Sequence, residues 1–198
     1  MRKLVPIDQL SPAYLDQLRE DFERNLLLNA GTDKYPRLVQ TGDLTKLRTH
    51  LTVHTLLPWT DLGITAGGQA AATSDFWGTG ALVAATPIIY TGAGAGAVLA
   101  ANEFVCIYGL SAPDAAPSVH TVMLQVTAAT TLAIWNTQEM WASRQPIAVS
   151  PEAGYWAGQD NCFVSVTGFV KAADARGVGD YLELLGMICM PKGAVVSV

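Results

Sequence analysis

The sequence has 198 residues, 50% of them hydrophobic, and a formal charge of −5; that is enough apolar material for a sizeable core and excludes a disordered chain. The charge is unevenly divided: residues 1–60 hold eight basic and seven acidic side chains, residues 61–198 four and ten. The larger part would repel a phosphate backbone, which excludes nucleic acid as the main partner.

Met1-Arg2-Lys3-Leu4-Val5 starts like a signal peptide, but Pro6 and Asp8 end the apolar run before a hydrophobic region forms, so no export signal is expected. Ser11 before Pro12 is a helix start, with a hydroxyl cap and a preset φ, and Leu10 and Leu15 stand at the positions of a hydrophobic staple. Leu15, Leu18, Phe22 and Leu26 then recur every three or four residues, and Asn29-Ala30-Gly31 supplies a stop. The spacing predicts one amphipathic helix over 12–30, with i, i+4 pairs from Arg19 to Glu23 and from Glu20 to Arg24. Residues 32–50 are polar, mixed in charge and without clear periodicity, as in a connecting loop or an extended arm that lies along a neighbour. Residues 1–50 are therefore set apart as helix and arm, and removing them is expected to leave the remaining body folded.

From Leu51 onward the apolar period becomes two. Phe104–Tyr108, Val119–Val126, Thr131–Trp135, Cys162–Val170 and Tyr181–Met190 are rich in β-branched and aromatic residues and are bounded by Pro, Gly, Asp and Asn clusters. Weaker strands are expected at Val53–Leu57, Ala81–Tyr90 and Pro146–Val149. Such a series, with no helical pattern between its members, predicts a mainly β body over 51–198, an antiparallel β-sandwich or barrel of about eight strands. No lysine or arginine occurs between Arg48 and Arg144, and Phe76–Asn102 is wholly uncharged. A surface built from Ala, Gly, Thr, Val and Gln suggests faces covered by neighbouring subunits.

Chemistry is sparse along this body. Gly92-Ala93-Gly94-Ala95-Gly96-Ala97 lacks the glycine spacing of a dinucleotide loop and reads as a flexible loop or a flat strand. The uncharged stretch 78–101 is poor in Leu, Ile and Phe and carries Pro87, so a membrane contact there is the weaker expectation. His50 and His54 have zinc-site spacing, but the threonines and valine around them favour a strand, where i and i+4 lie too far apart for one ion. His120 reads as a hydrogen-bonded core or edge residue. Cys106, Cys162 and Cys189 lie in expected strands without Cys-x-x-Cys spacing, the pattern of buried, reduced thiols. No Gly-x-Ser-x-Gly elbow or metal-ligand cluster is present, so no enzyme activity and no cofactor are expected. The segment Ser150–Asp160 reads as a Gly-rich loop in which Glu152, Tyr155, Trp156 and Asp160 could form a sugar platform, with rings stacking and acids accepting hydroxyl protons. The alternative for those residues is an interstrand turn whose aromatics plug one end of the barrel.

The N-terminal helix and polar arm, the charge-poor β body and the closing run Tyr181-Leu182-Glu183-Leu184-Leu185-Gly186-Met187-Ile188-Cys189-Met190-Pro191-Lys192-Gly193 together resemble small bacteriophage virion proteins. The likeness is one of architecture and carries over no functional residue. It implies a single jelly roll that tiles a capsid or cements it as a minor component, self-assembling as trimers or larger rings beside other shell proteins. It also implies a place in the virion after assembly in the host cytoplasm. The competing expectation is a carbohydrate- or receptor-binding β-sandwich of a phage tail that uses Glu152–Asp160.

Overall fold

The computed structural model describes residues 3–57, 61–62, 76–79, 81–83, 88–91, 99–100, 102–112, 118–126, 130–158, 160–172 and 179–193. Strand β1 (Val5–Pro6) leads through a 3-10 turn into helix α1 (Pro12–Gly31), and α2 (Pro36–Thr41), α3 (Leu44–His50) and β2 (Leu51–Thr55) follow. The described body continues with β3 (Phe76–Gly78), β4 (Ile88–Thr91), β5 (Phe104–Ser111), β6 (Val119–Val126), β7 (Thr130–Asn136), helix α4 (Gln138–Ser143), β8 (Ile147–Trp156), β9 (Cys162–Gly168) and β10 (Tyr181–Pro191).

The protein is mainly β, with two antiparallel sheets in a sandwich-like arrangement. One sheet runs β1-β8-β5-β10-β2, with β3 on β10 beyond the end of β2; the other runs β4-β9-β6-β7. The pairing is nested. β6 pairs with β7, β5 with β8, β4 with β9, and β2 and β3 with β10, so each strand before the β6–β7 connection pairs with its counterpart after it. Folding that double ribbon over itself sets β5 beside β10 and β6 beside β9.

Period two explains the core. Val105, Ile107 and Leu110 of β5, Leu184 and Ile188 of β10 and Trp156 of β8 share a buried cluster with Val122 and Leu124 of β6, Trp135 of β7 and Val164 and Val166 of β9. The intervening residues of the larger sheet are buried as well, against the helices. Cys106, Met187, Cys189 and Ala153 form a second cluster with Phe22, Leu26, Leu27 and Ala30 of α1 and Leu47 of α3. Burial on both faces gives β5 and β10 their nearly continuous apolar sequence.

Two glycines let this larger sheet bend. The ladder of β5 slips at Gly109 against β8, and that of β10 slips at Gly186 against β5. A Cβ on Gly109 would lie 2.7 Å from the Ala148 carbonyl oxygen, and one on Gly186 2.7 Å from that of Cys106, so neither close approach tolerates a side chain.

Helix α1 starts as expected, with Ser11 Oγ accepting from the Tyr14 amide at 3.3 Å. Glu23 reaches out of the helix, its Oε1 accepting from Arg48 of α3 at 3.0 Å. Residues 32–50, expected as a loop or extended arm, are instead two short helices. Pro36 begins α2, Gly42 closes it at φ 64°, and the Asp43 carboxylate caps α3 by accepting from the Lys46 amide at 3.0 Å. That bond, with the Lys46 side chain, holds the exposed Asp43 carboxyl below its usual range. The N-terminal region is joined to the body at both ends: β1 pairs with β8, Leu4 lies in the inter-sheet core at 2% exposure, and α1 to α3 cover the outer face of the larger sheet.

Candidate functional site

The segment expected to be a loop over 150–160 is strand as far as Trp156. Ser150 is buried, and its hydroxyl donates to the Glu152 carbonyl at 2.9 Å and accepts from the Glu152 amide at 3.3 Å, which carries the strand past Pro151. Alternation then sends Tyr155 and Trp156 to opposite faces. Trp156 enters the inter-sheet core at 1% exposure, and its indole Nε1 donates to the Gln125 carbonyl at 2.9 Å. Tyr155 packs on the helix side opposite Cys106. A platform made of both rings is therefore not formed, because the Trp156 ring has no face open to a sugar.

Beyond the strand the chain makes a tight turn: Asp160 Oδ2 accepts from the Ala157 amide at 2.7 Å, and the Asp160 amide donates to the Ala157 carbonyl at 3.0 Å. This turn stands opposite the C-terminal end of α1. Between them is a cleft of about 670 Å³, lined by Asn29, Thr32 and Asp33 on one side and by Phe104, Tyr155 and Asp160 on the other, with the nearly buried Trp156 also bordering it. Tyr155, Trp156 and Asp160 thus come together as the sequence reading grouped them. Glu152 does not line this cleft; it is exposed further back on β8. Sequence reasoning missed Asn29, Thr32, Asp33 and Phe104. Asn29-Ala30-Gly31 was legible as a helix stop, but its approach to residue 160 is a tertiary event.

The expected helix-packing residues form a graded row. Phe22 and Leu26 are buried, Phe22 stacking on Tyr108 with ring centroids 5.3 Å apart, while Leu15 and Leu18 border an apolar groove of about 310 Å³ beside Val149 and Leu185.

The histidines are separated. His50 ends α3 and stacks on Tyr35 at 4.6 Å, whereas His54 lies on β2 with Nδ1 2.7 Å from the Thr55 carbonyl oxygen. Near His54, Asp61 Oδ2 accepts from the Leu57 amide at 2.6 Å; burial pushes this carboxyl up, partly countered by that bond and by His54. His120 has Nδ1 3.0 Å from Thr121 Oγ1 and meets Phe169 edge-on at 5.4 Å. Among the described residues no group of three or more His, Cys, Asp or Glu side chains is placed to hold a metal ion.

All three cysteines are free and buried. Burial pushes the Cys106 and Cys189 thiols up to about 12, and it raises Cys162 further, helped by the charges of Asp160 and Glu103. A thiol held neutral in this way is a poor nucleophile. Among the described residues the most heavily bonded buried charge is structural: Asp180 Oδ2 accepts from the Ser118 and Val119 amides at 2.6 and 3.0 Å, and Oδ1 accepts from Lys171 Nζ. The Asp180 amide also donates to Thr79 Oγ1 at 2.8 Å, so one residue ties the starts of β6 and β10 to the segment after β3.

The glycine run 92–97 and most of 78–101 lie outside the described residues. Among those described, no helix is long and apolar enough to cross a membrane. No family model matches the sequence, and no curated protein matches it.

Proposed function

We propose that this chain is a virion structural protein, a capsid or capsid-associated subunit of the cement or minor-capsid type, whose body is a jelly roll that assembles with copies of itself. The nested pairing supports the jelly-roll part. With β2 and β3 taken as one interrupted outer strand, the described ribbon counts eight strands, and its closure into two four-stranded sets supports a jelly-roll order.

The observation that carries the assembly part is the outer face of the four-stranded sheet. Away from the core, β9, β6 and β7 carry three cross-strand rows, Thr167-Thr121-Asn136, Ser165-Met123-Ile134 and Phe163-Gln125-Thr131, at least partly exposed except for Ser165, which is buried at 3% exposure. None of the nine positions is charged. The outer face of the other sheet is covered by the chain's own helices, so among the described residues this face is the one without such a cover. A second uncharged face can dry it without stranding an ion, which is the costly step in burying a charged surface. Other shell proteins fit the same requirement. The reading puts the protein in the virion after assembly in the host cytoplasm, with neither catalysis nor a cofactor.

Size-exclusion chromatography with light scattering tests it. The wild type is expected to run as a trimer or larger species, and Met123→Glu or Ile134→Lys as a monomer of 21.0 kDa with an unchanged circular dichroism spectrum. A wild-type monomer at high concentration refutes the proposal.

A further inference from the structure

We propose that the cleft between the end of α1 and the turn at Asp160 binds an organic cation, a guanidinium or primary ammonium on a flexible aliphatic stem. This goes beyond the shell reading and does not depend on it.

The lining selects the sign of the ligand. Asp33 and Asp160 bring carboxylates to opposite walls, and no lysine, arginine or histidine is among the described residues that line the cleft. The helix adds to this field. α1 is 20 residues long, its final turn contains no basic residue, and its C-terminal end at Asn29 and Thr32 forms one wall. The carbonyl end of a helix carries partial negative charge, which is ordinarily offset by a cation in the last turn. Here nothing in the helix supplies one. An anion would meet two carboxylates and the wrong end of a dipole, and is excluded.

The rings narrow the choice to an organic cation. Phe104 and Tyr155 border the same space and are partly buried, so they offer the apolar and π-electron surface against which guanidinium and ammonium groups rest. A small hydrated metal ion would use neither ring, and no group of His, Cys, Asp and Glu is placed to hold one among the described residues. A neutral sugar would gain nothing from the field of the two carboxylates, and the Trp156 ring is closed to it. At about 670 Å³ the cleft has room for an amino-acid-sized ligand, not for the charged head alone. Asp160 keeps one carboxylate oxygen, Oδ2, on the Ala157 amide, which fixes the side chain's direction while Oδ1 remains to meet the ligand.

The same chemistry is offered by a free polyamine and by an arginine or lysine side chain of another polypeptide, so the experiment uses a probe for each. Isothermal titration calorimetry of the full chain at low ionic strength is run with spermidine, with N-acetylarginine amide and with N-acetylglucosamine. Saturable binding of either cation is expected, and which of the two binds more tightly identifies the source. Asp33→Asn should weaken binding by about three- to fivefold, the effect of removing one partner of an exposed ion pair. Asp160→Asn retains an oxygen to accept from Ala157 and should weaken it at least as much. Asp33 is exposed, so its variant keeps the fold even if the Asp160 variant does not. Binding should also weaken as salt is raised. No saturable binding of either cation at about 10 mM, affinities indifferent to Asp33→Asn, or binding of the neutral sugar in place of the cations would each overturn the proposal.

Discussion

Leu26→Ala distinguishes a helix that belongs to its own body from an arm that locks a neighbour. Leu26 is 0% exposed and lies in the cluster formed by Leu27, Leu47, Cys106, Met187 and Cys189. Truncation removes buried methyl groups from a site walled by a sheet on one side and by α3 on the other, which has little freedom to collapse. The expected cost is about 3 kcal/mol. With a urea dependence of about 2 kcal/mol/M for a domain of this size, the midpoint should fall by roughly 1.5 M. Urea unfolding followed by circular dichroism at two protein concentrations is the assay. A packed helix gives a shift that is independent of concentration and present in the monomer. If the midpoint moves by less than about 0.3 M while the oligomer dissociates more readily, α1 is holding a neighbour and the cis packing argued above is wrong. On the same reasoning, deleting residues 1–50 should not leave a folded body, because it would remove β1 and Leu4 and uncover Cys106, Met187 and Cys189.

Asp180→Ala strands the Ser118 and Val119 amides and the Lys171 ammonium at a site 1% exposed; it should cost about 3–5 kcal/mol and lower Tm by roughly 10 °C in a thermal melt, with Asp180→Asn milder. The three buried thiols should resist Ellman's reagent at pH 8 in the native protein and react fully in denaturant; rapid native labelling would place them at the surface. Because folding raises the Cys106 and Cys189 pKa from 9.0 to about 12, their contribution to stability is complete below pH 9 and is lost as pH climbs through 12. Urea midpoints should therefore fall across that alkaline window, and by less in a Cys106→Ala, Cys189→Ala double variant once its neutral-pH loss is subtracted.

Strand periodicity was legible wherever a strand had one clear inner row: Val119–Val126 has the expected bounds, and Tyr181–Met190 is extended by one residue. It failed at β8. Pro151 and Gly154 look like turn residues, yet Ser150 bridges the first, and the second is small because Leu124 packs over it: a Cβ there would come within 3.1 Å of Leu124 Cδ1. Recognising that strand would have revealed that Tyr155 and Trp156 face opposite ways. Helices α2 and α3 were hidden by their length, since six and seven residues are too few for a 3.6-residue period to emerge. Their caps, Pro36, Gly42 and Asp43, were in plain view. The cleft was half legible. Tyr155, Trp156 and Asp160 lie in one local run of sequence, whereas Asn29, Thr32, Asp33 and Phe104 reach them through packing that no local pattern encodes.

The uneven charge noted in the sequence acquires a geometry from these contacts. Asp16, Arg19, Glu20, Asp21 and Arg24 are exposed on α1, so the helical side of the molecule presents both signs of charge to its surroundings. The opposite side, the outer rows of β6, β7 and β9, presents none. A monomer selected for solubility has reason to charge both sides, because an uncharged sheet face with an open edge invites non-specific pairing. A subunit that must join copies of itself in a fixed orientation has reason to charge one side and not the other. The charged side then resists stacking in the wrong sense, at little cost to the contact made by the uncharged one. Under the proposed shell function, the missing lysines between Arg48 and Arg144 would mark which way round the molecule sits among its copies.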